Sequence, residues 1–249
     1  MCFDTDSEPP IPRIAGAAVS HDDLVLTAAD GNSFAAFLAA PDGPASTGVV
    51  IYPDVRGLYH FYEELALRFA ERGHLAVAFD YFGRTAGAEK RDDEFDYMPH
   101  VEQTTIEGVQ ADAAAAVAEL RARGATSVFS VGFCFGGSGS WLGAASGLGL
   151  AGSIGFYGSP TRERGGTSVV QRVPDIACPI LALQAGDDQG ITAEDNAAFE
   201  YALTEAGKEH EIVVYDGAPH SFFDRKQEDF AEASDDAWRR TLAFISQHS

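Results

Sequence analysis

The pentapeptide Gly132-Phe133-Cys134-Phe135-Gly136 constrains this chain more than any other stretch. It lies between an apolar run, 127–131, that reads as a strand and a glycine-rich stretch, 135–147, that reads as a helix. A reactive residue with glycine two positions away on each side is the pattern of a nucleophile elbow, here with cysteine where serine is usual. A residue on so sharp a turn has strained backbone angles, and a side chain at either glycine would clash with the neighbouring strand or helix. The nucleophile then projects from the carboxyl edge of a sheet. The first amides of the following helix supply positive potential there, which favours thiolate over thiol. The plain alternative is a buried structural cysteine, against which the strand-to-helix placement argues.

An elbow of this kind needs a parallel sheet, and the remaining chain supplies one. Residues 23–27 and 33–40 read as two short strands around Asp30-Gly31-Asn32. Val49-Val50-Ile51-Tyr52 is a continuous apolar run of the kind buried on both faces, and it ends at Pro53. Phe61, Leu65 and Phe69 recur at every fourth position in a helix closed by Gly73. A strand over 75–79, a charged loop over 81–98 and an alanine-rich helix over 102–122 follow. Strands over 154–157, 180–183 and 211–215 then alternate with a loop over 158–175 and helices over 193–206 and 234–247. Strand and helix alternate to the end, which predicts one α/β domain over 17–249, with a mainly parallel central sheet and helices on both faces. The proline-bearing stretch 1–16 reads as a tail ahead of it.

Composition narrows the partners. Of 249 residues, 17 are Lys or Arg and 38 are Asp or Glu, a formal net charge of −21. A chain this acidic gains nothing from releasing the counterions of a polyanion, so nucleic acid and anionic membrane surfaces are excluded as expected partners. Met1 to Pro12 carries Asp4, Asp6 and Glu8 with no basic start and no apolar stretch, and no run approaches the ~18 apolar residues of a membrane span. A cytoplasmic location is expected. Cys2, Cys134 and Cys178 fit neither a disulfide framework nor a zinc spacing. Cys2 reads as a tail thiol and Cys178 as a structural one.

A nucleophile needs a base, and the base needs an orienting carboxylate. Asp188, in the loop after the strand 180–183, and His220, after the strand 211–215, complete the chain order nucleophile, acid, histidine. Asp187 competes with Asp188; the trailing Gln-Gly-Ile-Thr favours Asp188. The other six histidines show no His-x-His or His-Glu-x-x-His spacing, so no metal is expected.

With these residues in view, the chain resembles the dienelactone hydrolase family, α/β-hydrolases with a Cys-Asp-His triad. The resemblance rests on Ile51-Tyr52-Pro53-Asp54-Val55-Arg56-Gly57, the Gly-Phe-Cys-Phe-Gly-Gly elbow, Gly155-Phe156-Tyr157-Gly158, the Asp188 loop and His220-Ser221-Phe222. It implies an α/β-hydrolase fold, Cys134, Asp188 and His220 as the triad, and the backbone N–H groups of Val55 and Phe135 as the oxyanion hole. It implies no cofactor. The family often carries Glu where Asp54 stands, to hydrogen-bond and activate the thiol; Asp is one methylene shorter. Its dienelactone-binding members place an arginine soon after the catalytic histidine, whereas here the chain reads Phe223-Asp224-Arg225. Arg56 and Arg84, in loops after strands, are candidate anion binders, and Tyr157 ends a strand at the same edge. Tyr97 and Met98 are candidate cap residues.

These features predict a cysteine-dependent hydrolase of a small ester or lactone. A non-catalytic small-molecule receptor on the same fold is the alternative. A dinucleotide-dependent oxidoreductase is set aside, because Pro53-Asp54-Val55-Arg56-Gly57 replaces the Gly-x-Gly-x-x-Gly turn. With no arginine at the family position, neutral esters are expected to do at least as well as carboxylate-bearing ones, with Arg84 the choice for any anion preference. Oligomeric state is left open.

Overall fold

The structure is a computed structural model and describes residues 3, 4, 6–92 and 94–249; Cys2 lies outside the described residues. Eight strands form one sheet: β1 (Val19–Thr27), β2 (Ser33–Pro41), β3 (Thr47–Tyr52), β4 (Leu75–Phe79), β5 (Ser127–Phe133), β6 (Gly152–Phe156), β7 (Ile180–Asp187) and β8 (His210–Pro219). Their spatial order is β1-β2-β4-β3-β5-β6-β7-β8, with β1 and β2 antiparallel at one side and β4 through β8 parallel. This is the α/β-hydrolase fold.

Each central strand buries both faces, which is why its sequence is an unbroken apolar run. Val49 and Ile51 point to a core shared with α1 (His60–Ala70) and α8 (Ala231–His248), while Val50 and Tyr52 point to one shared with α4 (Ile106–Ala122). On β7, Leu181 and Leu183 join the first core, and Ile180 and Ala182 pack with α5 (Phe135–Ala144) and α7 (Ala193–Glu205). The period-two alternation of a strand thus sets which layer each residue enters.

Differences from the sequence expectations have local causes. The helix expected from 102 starts at Ile106, because Thr105 caps it by accepting the Gly108 N–H at 3.0 Å. The loop 81–98 contains the short helix α2 (Gly83–Ala86) and ends at the start of α3 (Met98–Val101), and the loop 158–175 contains α6 (Val169–Arg172). The strand expected to end at 215 runs on to Pro219 by re-pairing with Asp187 across a register shift at Ala185/Asp187. Of the residues ahead of β1, Phe3 and Ile11 are buried in the first core.

Register places the site. Tyr52 pairs with Gly132 and Phe133 with Phe156, so the segments leaving β3, β5 and β6 emerge side by side. Asp187 pairs with Pro219, so Asp188 and His220 leave adjacent strands together.

Candidate active site

The elbow is as tight as its glycines require. Cys134 has φ 54° and ψ −111°, a conformation rare for any residue with a side chain. A Cβ at Gly132 would overlap the Gly136 carbonyl, and one at Gly136 would overlap the Tyr52 and Pro53 carbonyls. The Cys134 N–H donates to Phe156 O at 3.0 Å, fixing the turn to β6.

Three side chains converge beyond the strand ends. His220 Nδ1 lies 2.5 Å from Asp188 Oδ2, and the same imidazole hydrogen-bonds the Cys134 thiol. Burial pulls the His220 pKa down, but the bonds to Asp188 and Cys134 and their charges outweigh it, raising it to about 9. Burial likewise opposes ionisation of Asp188, yet the His220 bond and the Gly190 N–H, 2.8 Å from Oδ1, hold its carboxyl below the usual value. Asp187 is exposed, and its Oδ1 accepts a 3.3 Å bond from Gln189. The geometry therefore assigns the histidine contact to Asp188.

The Val55 side of the site is held by two buried phenols. The Tyr62 hydroxyl accepts the Asp54 N–H at 2.8 Å, and the Tyr81 hydroxyl donates to Pro53 O at 2.7 Å. Phe135 opens α5, where the N–H groups of the first turn have no partner within the helix. A cavity of about 420 Å³ lies against Cys134, Phe135, Tyr157 and His220 and is also lined by Arg162, Arg164 and Ile191.

The sequence model of the Dienelactone hydrolase family matches residues 34–249, most of the chain. The chain belongs to the dienelactone hydrolase family. Its members hydrolyse lactones and esters, and so this chain is a hydrolase of that class. A carboxymethylenebutenolidase of Rhodococcus opacus is 28% identical over 100% of this chain and 97% of the relative. A putative carboxymethylenebutenolidase of Yersinia pestis is 28% identical over 88% of this chain and 85% of the relative. The crystal structure of a putative dienelactone hydrolase from Klebsiella pneumoniae superposes with a TM-score of 0.82 at 26% identity, covering 92% of this chain and 99% of that one.

Against this family frame, the remaining expected residues separate. Asp54 is 1% exposed beside the elbow, close enough for its charge and that of Cys134 to repel. Burial raises its pKa, and Arg56 opposes that: the Arg56 N–H donates to Oδ1 at 2.9 Å and Nη2 to Oδ2 at 3.0 Å. Arg56 is thereby committed to Asp54 and to the Tyr59 ring beneath it. Tyr157 lines the cavity, with its ring 4.9 Å from that of His220 and φ 36°.

Arg84 is corrected. Its guanidinium pairs with Asp30 at 2.5 Å and Asp112 at 2.8 Å, on the hairpin and α4, and it does not line the cavity. Arg225 is also turned away, bonded to Glu8 and to Ile11 O. Tyr97 and Met98 are not among the cavity walls. Cys178 is a packed thiol whose burial pushes it up to about 12.

Sequence reasoning missed Arg162 and Arg164. Both come from the loop after β6 and line the cavity, and among the described residues neither forms an ion pair with a carboxylate. Arg164 lies over the Phe135 ring at 3.9 Å and feels the Cys134 charge. The available signal was two arginines, Arg162-Glu163-Arg164, in a carboxyl-edge loop of a strongly acidic chain.

Proposed function

We propose that the chain hydrolyses small esters or lactones through a thioester on Cys134. The observation that carries this reading is the single imidazole bonded at once to Asp188 and to the Cys134 thiol. In that arrangement His220 takes the thiol proton, the Cys134 sulfur attacks the carbonyl carbon, and the oxyanion that forms accepts hydrogen bonds from the Val55 and Phe135 N–H groups. The imidazolium gives its proton to the leaving oxygen, the C–O bond breaks and a thioester remains. Neutral His220 then removes a proton from water, the new hydroxide displaces the thiolate, and the carboxylic acid departs. Asp188 keeps Nδ1 protonated and the ring oriented. A receptor role would leave this strained, fully assembled triad without a use.

The cavity volume fits a small substrate. Arg162 and Arg164, which form no ion pair with a carboxylate among the described residues of a chain of net charge −21, favour an anionic group on the part of the substrate that faces the 158–167 loop. This replaces Arg84 as the source of anion preference.

The test is turnover of a chromogenic short-chain aryl ester together with mass spectrometry of the quenched enzyme. Wild type is expected to turn over and to carry the acyl mass on the Cys134 peptide, whereas folded Cys134→Ala shows neither. Turnover retained by Cys134→Ala would remove cysteine from the nucleophile's place.

A further inference from the structure

The segment ahead of β1 lies across the turn that leaves His220. Phe3 stacks on Phe61 with ring centroids 4.0 Å apart and meets the Tyr157 ring edge-on at 6.4 Å. Tyr157 in turn packs against the His220 imidazole. Ser7, fully buried, donates its hydroxyl to Asp224 Oδ2 at 2.8 Å, while Asp224 Oδ1 accepts the Lys226 N–H at 3.0 Å. The Arg225 N–H donates to Glu8 O at 3.1 Å, and its guanidinium reaches the Glu8 carboxylate at 2.6 Å and Ile11 O at 3.2 Å. Lys226 pairs with Asp6. All of these strap residues precede the family match, which begins at residue 34.

The strap meets a strained turn. Ser221, directly after His220, has φ 63°, and Tyr157 has φ 36°. A side-chain-bearing residue in that region costs on the order of 1–3 kcal/mol and persists only where its surroundings over-determine it. Past Pro219 the chain has left the sheet and is anchored by Phe222 and Phe223, both fully buried in the first core, by Gln227, which donates to Ser221 O at 3.2 Å, and by Ser234, which donates to Phe222 O at 3.0 Å. The strap adds a hydrogen bond at Asp224, three at Arg225 and an aromatic wall behind Tyr157. Each contact acts on the residues that flank the imidazole on one side or the other.

We propose that Phe3, Ser7, Glu8 and Ile11 form a positioning strap that sets the His220 imidazole between Asp188 and Cys134, with Phe3 acting through Tyr157 and Ser7 acting through Asp224. The inference rests on the cysteine-hydrolase reading above. Phe3 and Ser7 touch neither the cavity nor the reacting atoms; they fix the place of a group that does. Misplacement of a catalytic group by about 1 Å costs roughly 100-fold in rate, so partial loosening should be visible in kcat before it is visible in the fold.

The experiment compares Phe3→Ala and Ser7→Ala with the conservative Phe3→Leu and Ser7→Thr in the full chain. Three quantities are read: kcat and KM on an aryl ester, the midpoint of the His220 imidazole titration by NMR, and the melting temperature. The alanine variants should lose about 10-fold in kcat, a fraction of the full misplacement effect, with KM within about twofold. Their His220 midpoint should fall below the wild-type value, as the bonds to Asp188 and Cys134 lengthen, and the conservative variants should restore both. A lowered melting temperature with kcat and midpoint at wild-type values would reduce the strap to ordinary packing and overturn the proposal. If Phe3→Ala does not fold, Ser7→Ala, which loses one hydroxyl, decides alone. The NMR midpoint needs no turnover, so a wild type inactive on esters would sink the hydrolase reading while the strap was still judged on the midpoint.

Discussion

Asp188 and His220 form a pair whose charges support each other, and that pairing predicts a pH signature. The imidazole must be protonated to release the leaving oxygen, so kcat/KM should fall on an alkaline limb near the raised His220 value of about 9. Asp188→Asn removes a hydrogen bond and a charge that both raise that value. The expected outcome is a loss of about 10⁴-fold in kcat, as for other orienting carboxylates, with the limb displaced to lower pH. Asp187→Asn should change neither by more than about twofold, because the imidazole Nδ1 bonds Asp188 while the exposed Asp187 carboxylate takes its bond from Gln189. A pH–rate profile of the three proteins checks this, and reversed behaviour would move the orienting role to Asp187. Linkage gives the sign for stability. His220 gains affinity for its proton on folding, so its contribution is full below the unfolded value of 6.5 and is lost as pH climbs through about 9. At this scale the elbow and the convergence of Asp188 and His220 upon it could be read from the sequence, since strained turns and strand ends carry fixed spacings. Arg162 and Arg164 could not, because their place depends on how an irregular loop folds back over Phe135. The fate of Arg84 was equally hidden, as Asp30 and Asp112 approach it only in three dimensions.

Between the elements, one buried side chain ties three of them. Gln110 on α4 accepts the Tyr52 hydroxyl of β3 at 2.9 Å through Oε1 and donates Nε2 to Gly139 O of α5 at 2.9 Å. The brace joins the strand that leads to Val55 to the helix that starts behind Cys134. Gln110→Ala leaves a buried phenol and a buried carbonyl unpaired, which should cost about 2–6 kcal/mol at roughly 1–3 per orphaned group. Urea unfolding followed by circular dichroism measures it. A loss under about 0.5 kcal/mol, the range of ordinary surface changes, would show that water or a rearranged neighbour replaces the bonds. The sequence marked α4 by its alanines and β3 by its apolar run, but not this connection, because a glutamine in a helix reads as a solvent-facing residue until the neighbouring elements are in place. Element ends failed for a related reason. Thr105 as a cap and Pro219 as a strand end depend on single hydrogen bonds and one register shift rather than on hydrophobic period. The alternation of strands and helices set the fold class, whereas the spatial strand order, with β4 between β2 and β3, has no local signature.

Over the whole molecule, the charge of −21 opposes the local charge at the cavity. An anionic substrate is repelled during approach, and salt screens that repulsion beyond a Debye length of ~8 Å at physiological strength. Arg162 and Arg164 act inside that distance, after entry, where screening is weak and where Asp187 on the same wall offsets only part of their charge. The two effects can be separated with a matched pair of aryl esters whose acyl chains end in a carboxylate or in its methyl ester. In wild type the carboxylate ester should be preferred in kcat/KM by about 10-fold, the value of one charge-assisted contact of about 1.4 kcal/mol. Raising ionic strength from low to physiological should increase kcat/KM for the carboxylate ester and leave the neutral one unchanged, because only the anion feels the long-range field. Arg164→Gln should erase the preference while keeping the salt response, since the variant changes the cavity and leaves the surface charge almost as it was. Arg84→Ala should alter neither ratio, because its guanidinium belongs to Asp30 and Asp112. Equal losses on both esters in Arg164→Gln would place that arginine with the Cys134 thiolate instead of with the substrate. A preference that survives in Arg164→Gln and in Arg162→Gln alike would take anion binding away from this loop altogether.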